Sequence, residues 1–210
     1  MKKLLLTALL AFSLLLPLGT TALADDATTI PEPEAVPTYI SGTAPAQTDV
    51  SSMIPALHGV LLAMENHGSA SFATDENLLS WEMLYNLLSM YGQMDSRAFY
   101  EEDLLILPAE TVMDYSAAIL PAPLSPETLP EELSDRMIYD AECDEYRLYC
   151  GSDGLSQVVI DEAFEQNGAV SLSGRLVYLA EEETLCSFTA KLVMRDNMFG
   201  YALSRLEIAA

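Results

Sequence analysis

Basic residues are scarce in this chain: nine lysines and arginines stand against 32 aspartates and glutamates, a formal charge of −23 over 210 residues. A surface of that sign repels nucleic acid and anionic membranes, so no nucleic-acid partner is expected. Histidine is nearly missing too. His58 and His67 are the only two, and neither has a second ligand or base at a recognisable spacing, so both read as structural or merely exposed. The three cysteines, Cys143, Cys150 and Cys186, show no metal spacing, and their odd number allows at most one internal disulfide, whose pairing stays open. Phosphate loops and nucleophile elbows are lacking: Gly151-Ser-Asp-Gly154 looks like a hairpin turn and matches neither. Asp140-Ala-Glu-Cys-Asp144 begins like a calcium loop, but without a glycine at the sixth place or a glutamate at the twelfth it reads as an acidic turn. No metal and no cofactor are therefore expected.

What the chain does have begins with Met-Lys-Lys, an apolar stretch from Leu4 to Leu18, and Thr-Thr-Ala-Leu-Ala before Asp25. Those are the charged, apolar and small-residue zones of a secretory signal, so residues 1–24 are expected to be a signal peptide cleaved after Ala24. Its apolar core is shorter than the roughly 20 residues that span a bilayer, and no later run is long enough, so no transmembrane segment is expected in the mature chain. Without a cysteine after the apolar core, lipoprotein attachment has no support. The mature protein is expected to be secreted or extracytoplasmic. Lys2 and Lys3 leave with the signal, taking the formal charge from −23 to −25. Residues 25–52 hold Pro31, Pro33, Pro37 and Pro45 among threonine, alanine, serine and glutamate, the composition of a disordered Pro/Thr/Ala-rich linker. Residues 53–210 then have the size of one domain.

Helical periodicity marks the first half of that domain. Met53 to Glu65 carries Leu57, Val60, Leu61 and Met64 at helical spacing. The central stretch from Thr74 to Gly92 reads as a complete helix, with Thr74 as cap, Asp75 and Glu76 at its positive end and Gly92 as a left-handed stop. Its apolar stripe of Leu78, Trp81, Leu84, Tyr85, Leu88 and Tyr91 places the only tryptophan at the centre of the expected core. Leu104 to Leu107 reads as a short strand, and Pro108 to about Leu120 as a further helix. Four prolines between Pro121 and Pro130 then separate the helices from the second half of the domain.

That second half alternates apolar segments with turn signals, the spacing of an antiparallel meander. Strands are predicted at 136–139, 146–150, 157–166, 169–179, 184–195 and 200–208. Val170, Leu172, Leu176 and Tyr178 fall on one face and Ser171, Ser173 and Arg175 on the other, which makes one side dry and the other wet. A three-residue turn over Asn167 to Ala169 sets Phe164 against Leu172, Ile160 against Leu176 and Val158 against Tyr178, whereas a two-residue turn sets Ile160 against Arg175. Burial favours the former. Glu162 then faces Gly174 on the dry side, either as the polar group of a small pocket or turned outward by a bulge, and the bulge is favoured.

The fold expected is α+β: two or three helices packed on one face of a curved antiparallel meander, with the 136–150 hairpin either in that sheet or apart from it. In its order of elements this layout is similar to nuclear transport factor 2-like (NTF2-like) rolls; that likeness carries no motif and no active site. The function expected is an exported, non-catalytic binding or interaction domain for an unknown protein or small ligand, presented on its flexible linker. The rival is a small extracytoplasmic enzyme with a pocket between the central helix and the sheet. Glu162, Tyr178 and Trp81 are the residues expected to line such a pocket.

Overall fold

Alternating apolar residues pair the chain's strands with antiparallel neighbours, and the helices supply what their dry faces need. The computed structural model describes residues 47–151 and 155–209; the expected signal, most of the expected linker, and Ser152 to Gly154 lie outside the described residues. In chain order come α1 (Ile54–His67), α2 (Asn77–Tyr91), β1 (Phe99–Glu101), β2 (Leu104–Pro108), α3 (Ala109–Ser116), β3 (Met137–Asp140), β4 (Glu145–Tyr149), β5 (Ser156–Gln166), β6 (Ala169–Tyr178), β7 (Glu183–Met194) and β8 (Tyr201–Ala209). They make two four-stranded antiparallel sheets, ordered β1-β2-β4-β3 and β5-β6-β7-β8. The class is α+β.

The 136–150 hairpin thus stands apart from the long meander. It joins β2, whose Leu105 and Leu107 lie opposite Leu148 and Tyr146. β4 and β5 belong to different sheets and do not pair, and the turn expected over Gly151 to Gly154 falls mostly outside the described residues.

The two longer helices are buried on more than one face. On α2 the residues Leu79, Ser80, Trp81, Met83, Leu84, Tyr85, Leu87 and Leu88 are all buried, a wider band than the predicted stripe. A helix so covered needs partners on two sides. One side meets the first sheet: the Trp81 and Tyr146 rings lie 6.1 Å apart, and the Tyr85 hydroxyl donates to the Tyr149 carbonyl at 2.7 Å. The other side meets α1 at Gly59, where a Cβ would come within 2.8 Å of the Leu87 backbone nitrogen and 2.9 Å of the Met83 carbonyl oxygen. α1 in turn reaches the second sheet through His58, whose Nε2 is hydrogen-bonded to Ser156 Oγ on β5 at 2.8 Å.

Both predicted ends of α2 differ in detail. Thr74 is not its cap: Glu76 holds the extended N-cap conformation, with no side-chain capping bond. Gly92 has φ −58° and leads into a 3-10 turn rather than a left-handed stop. Its lack of a side chain serves packing, since a Cβ there would lie 3.0 Å from a Leu107 methyl. The left-handed glycine ends α1 instead, at Gly68 with φ 64°.

In the second sheet each ladder carries one irregularity, at Ile160/Glu162, Leu176/Val177 and Lys191/Leu192. Extra residues of this kind bend the strands that carry them. The first irregularity is the bulge favoured for Glu162, but the turn after it overturns the predicted register. Gln166 pairs with Ala169, so Asn167 and Gly168 form a two-residue turn with φ 55° and 75°, as a type I′ hairpin requires. Phe164 then lies opposite Ser171 on the wet side, Ala163 opposite Leu172 on the dry side, and Asp161 is the extra residue that returns Ile160 and Val158 to the dry face. A bulge flips the parity of every residue beyond it, which is the effect that a three-residue turn would otherwise supply.

Both edges of this sheet are partly covered. Thr48 N donates to Ala163 O on β5, while on β8 Phe72 N donates to Leu206 O, Ile208 N to Ala70 O and Leu203 N to Ala118 O. The packed chain therefore starts before Met53, with Val50 only 4% exposed and Ser52 Oγ donating to Phe199 O at 2.7 Å.

Candidate functional site on the outer face of the second sheet

The bulge at Asp161 turns Glu162 out of the core, and it does so on a face where other polar groups gather. Reading across the four strands, Glu162, Ser173, Thr189 and Glu207 form one row, and Phe164, Ser171, Lys191 and Arg205 the next. These eight residues line a surface groove of about 450 Å³. Four strands at roughly 4.8 Å spacing make each row about 14 Å long. Phe164 is half-buried, while Glu162, Lys191 and Arg205 are exposed. Arg205 pairs with Glu207 at 2.6 Å, and beside the groove Arg175 holds Asp161 at 3.0 Å. Among the described residues Glu162 and Lys191 make no side-chain hydrogen bond or ion pair, so both keep their full bonding capacity for a ligand.

The other residues expected at a pocket are not brought to this groove. Trp81 is 0% exposed and sealed in the core, where its indole nitrogen donates to Thr128 Oγ1 at 3.2 Å. Tyr178 is half-buried at the far end of β6, paired with Ser156, five positions along from the Ser173 that faces Glu162. Nor does Glu162 face a gap at Gly174: Ile160 is the partner there, and the Phe188 ring fills the space, 2.9 Å from where a Cβ would be. The glycine is a contact point rather than an opening.

A second groove of about 750 Å³ runs between the end of α3 and the β7–β8 hairpin, with Phe72, Met113, Leu120, Met198 and Leu203 in its walls. Neither groove lies between α2 and the sheet, the place expected for an enzyme pocket.

One of the two histidines and one of the three cysteines lie in the core. His58 is 2% exposed, with Nδ1 on the Tyr91 hydroxyl and Nε2 on the Ser156 hydroxyl, both at 2.8 Å. Burial lowers its pKa to about 4, which makes it a weak base. Cys186 is buried, and burial, reinforced by the neighbouring Glu65 carboxylate, pushes its thiol up to about 12. A thiol so shifted carries almost no thiolate at neutral pH. Cys150 is half-buried and also raised by burial, Cys143 is exposed on a turn, and all three cysteines are free. His67 is hydrogen-bonded to Glu82, which also pairs with Arg136 at 3.2 Å while that guanidinium lies over the Tyr85 ring. Among the described residues no three His, Cys, Asp or Glu side chains come together as a metal site, and no helix is long and apolar enough to cross a membrane.

The sequence singles out Glu162 but not the residues that share its rows. The alternation that put Ser171, Ser173, Thr189 and Lys191 on a wet face was legible; that Arg205, Glu207 and Phe164 complete the same two rows depended on bulges in two ladders. No protein-family model matches the chain, and no curated protein is similar to it in sequence.

Proposed function

We propose that this is an exported, non-catalytic binding domain, carried on the proline-rich tether that its sequence predicts, and that it binds through the outer face of the β5–β8 sheet. One observation carries the reading. Glu162 and Lys191 are exposed and, among the described residues, unpartnered in a single groove lined by hydroxyls, whereas the imidazole of His58 and the thiol of Cys186 are withdrawn into the core with shifts that blunt their chemistry. Polar groups left free on a rigid sheet face suit recognition, and a base or nucleophile sealed from solvent does not suit turnover.

The test is a thermal-shift screen of the intact exported chain against uncharged saccharides, amino acids, peptides and nucleotides. At least one class should raise Tm for the wild type and not for Lys191→Ala, and the ligand should be recovered unchanged. Chemical turnover lost in Glu162→Gln, with the fold intact, would reverse the choice in favour of an enzyme. Export has its own check: the protein recovered outside the cytoplasm should begin at Asp25 by mass spectrometry.

A further inference from the structure

Three properties of the outer-face groove bear on the chemistry of its ligand. The first is charge. Asp161, Glu162 and Glu207 are matched on this face by Arg175, Lys191 and Arg205, in a chain whose formal charge is −23. A polyanion would be repelled by the rest of the molecule, and a polycation would meet three cations here while acids abound elsewhere, so the face suits a ligand without net charge.

The second is bonding type. Carboxylates only accept, ammonium and guanidinium groups only donate, and serine and threonine hydroxyls do both; with the carboxylates in one row, the cations in the next and hydroxyls in each, they satisfy a partner that presents hydroxyls, each of which must both give and receive. At one end Phe164 offers a half-buried phenyl ring for an apolar C–H face. The groove is open and long rather than enclosed, which suits an extended chain.

The third is what the sheet denies to a peptide. An extended peptide adds to a sheet at a free edge, and here Thr48 occupies part of the β5 edge while Phe72, Ala70 and Ala118 occupy β8. The groove on the face is lined mostly by polar and charged side chains rather than by an apolar pocket for a peptide side chain.

From these we propose that the two rows running from Glu162 to Glu207 and from Phe164 to Arg205 are a binding site for an uncharged glycan chain. This rests on the binding reading above and names its ligand.

The experiment uses the intact exported chain and measures binding of cellohexaose, mannohexaose and chitohexaose by calorimetry, with polygalacturonate as the anionic control. One neutral hexasaccharide should bind the wild type with an affinity that added NaCl leaves unchanged. Lys191→Ala and Glu162→Gln should each weaken it at least tenfold with Tm unaltered, since both side chains are exposed and hold nothing in place. If none of the neutral glycans binds, or polygalacturonate binds in preference, the glycan assignment is wrong. Should a peptide or other ligand from the wider screen bind in its place and be lost in Lys191→Ala, the binding face survives and only the ligand class falls. Equal binding of a neutral glycan by wild type and both variants would keep the glycan and remove this groove.

Discussion

His58 shows what a single buried side chain does to the pH response of this protein. It joins α1 to α2 through Tyr91 and to β5 through Ser156, and its burial there makes the charged form costly. Its pKa falls from 6.5 in the unfolded chain to about 4 in the folded one, so the unfolded state binds the proton first as pH drops. Its contribution to stability is therefore complete above pH 6.5 and is lost as pH falls from there toward 4. At pH 4.5 the loss is about 2–3 kcal/mol. Urea unfolding of wild type and His58→Gln at pH 7.5 and pH 4.5 tests this: the wild type should lead at the higher pH, and the gap should close or invert at the lower. A gap independent of pH would mean that His58 is protonated without cost. Nothing near His58 in the sequence announces these bonds, because Tyr91 and Ser156 come from distant parts of the chain.

Among the elements, β6 carries the tightest constraint. At Gly174 a Cβ would meet the Val159 carbonyl oxygen from one neighbouring strand and the Phe188 ring from the other. Phe188 is 2% exposed and is among the larger core side chains, so the glycine is what leaves room for its ring beside β6. Gly174→Ala should cost about 1–3 kcal/mol by overpacking. Adding Phe188→Leu should recover part of that loss, and denaturant unfolding of the single and double variants reads it directly. Additive losses would place the strain elsewhere. The strands themselves were legible: predicted 157–166, 169–179, 184–195 and 200–208 became β5 to β8 with end shifts of a residue or so. The outward bulge at Glu162 was also expected; what alternation did not reveal was the two-residue turn that accompanies it, since a one-residue change in a turn leaves composition unchanged and alters only which side chains share a face.

For the molecule as a whole, the segment just before α1 matters more than its composition suggests. Residues 47–52 look like the end of a linker, yet Thr48 bonds to β5, Val50 is buried and Ser52 bonds to Phe199. A chain starting at Met53 should be less stable than one starting at Gln47 by about 2–3 kcal/mol, from one buried valine and two hydrogen bonds. Thermal unfolding of the two chains should differ by several degrees. Coincident curves would show that the segment only rests on the surface.

Composition and local pattern sufficed for the sign of the surface charge, for three helices followed by a run of antiparallel strands, and for the burial of Trp81. These are properties of neighbours in sequence: periodicities of two and 3.6 residues, and turn residues at fixed offsets. Tertiary structure alone decided that β2 takes the 136–150 hairpin into a separate sheet, that His58 and Cys186 are sealed, and that Glu162 shares a groove with Lys191 and Arg205. The reason is that each of these joins residues far apart in sequence. Which strand edge pairs with which, and where an extra residue is accommodated, is settled by the fit of the whole core, where close packing leaves one arrangement without voids or clashes.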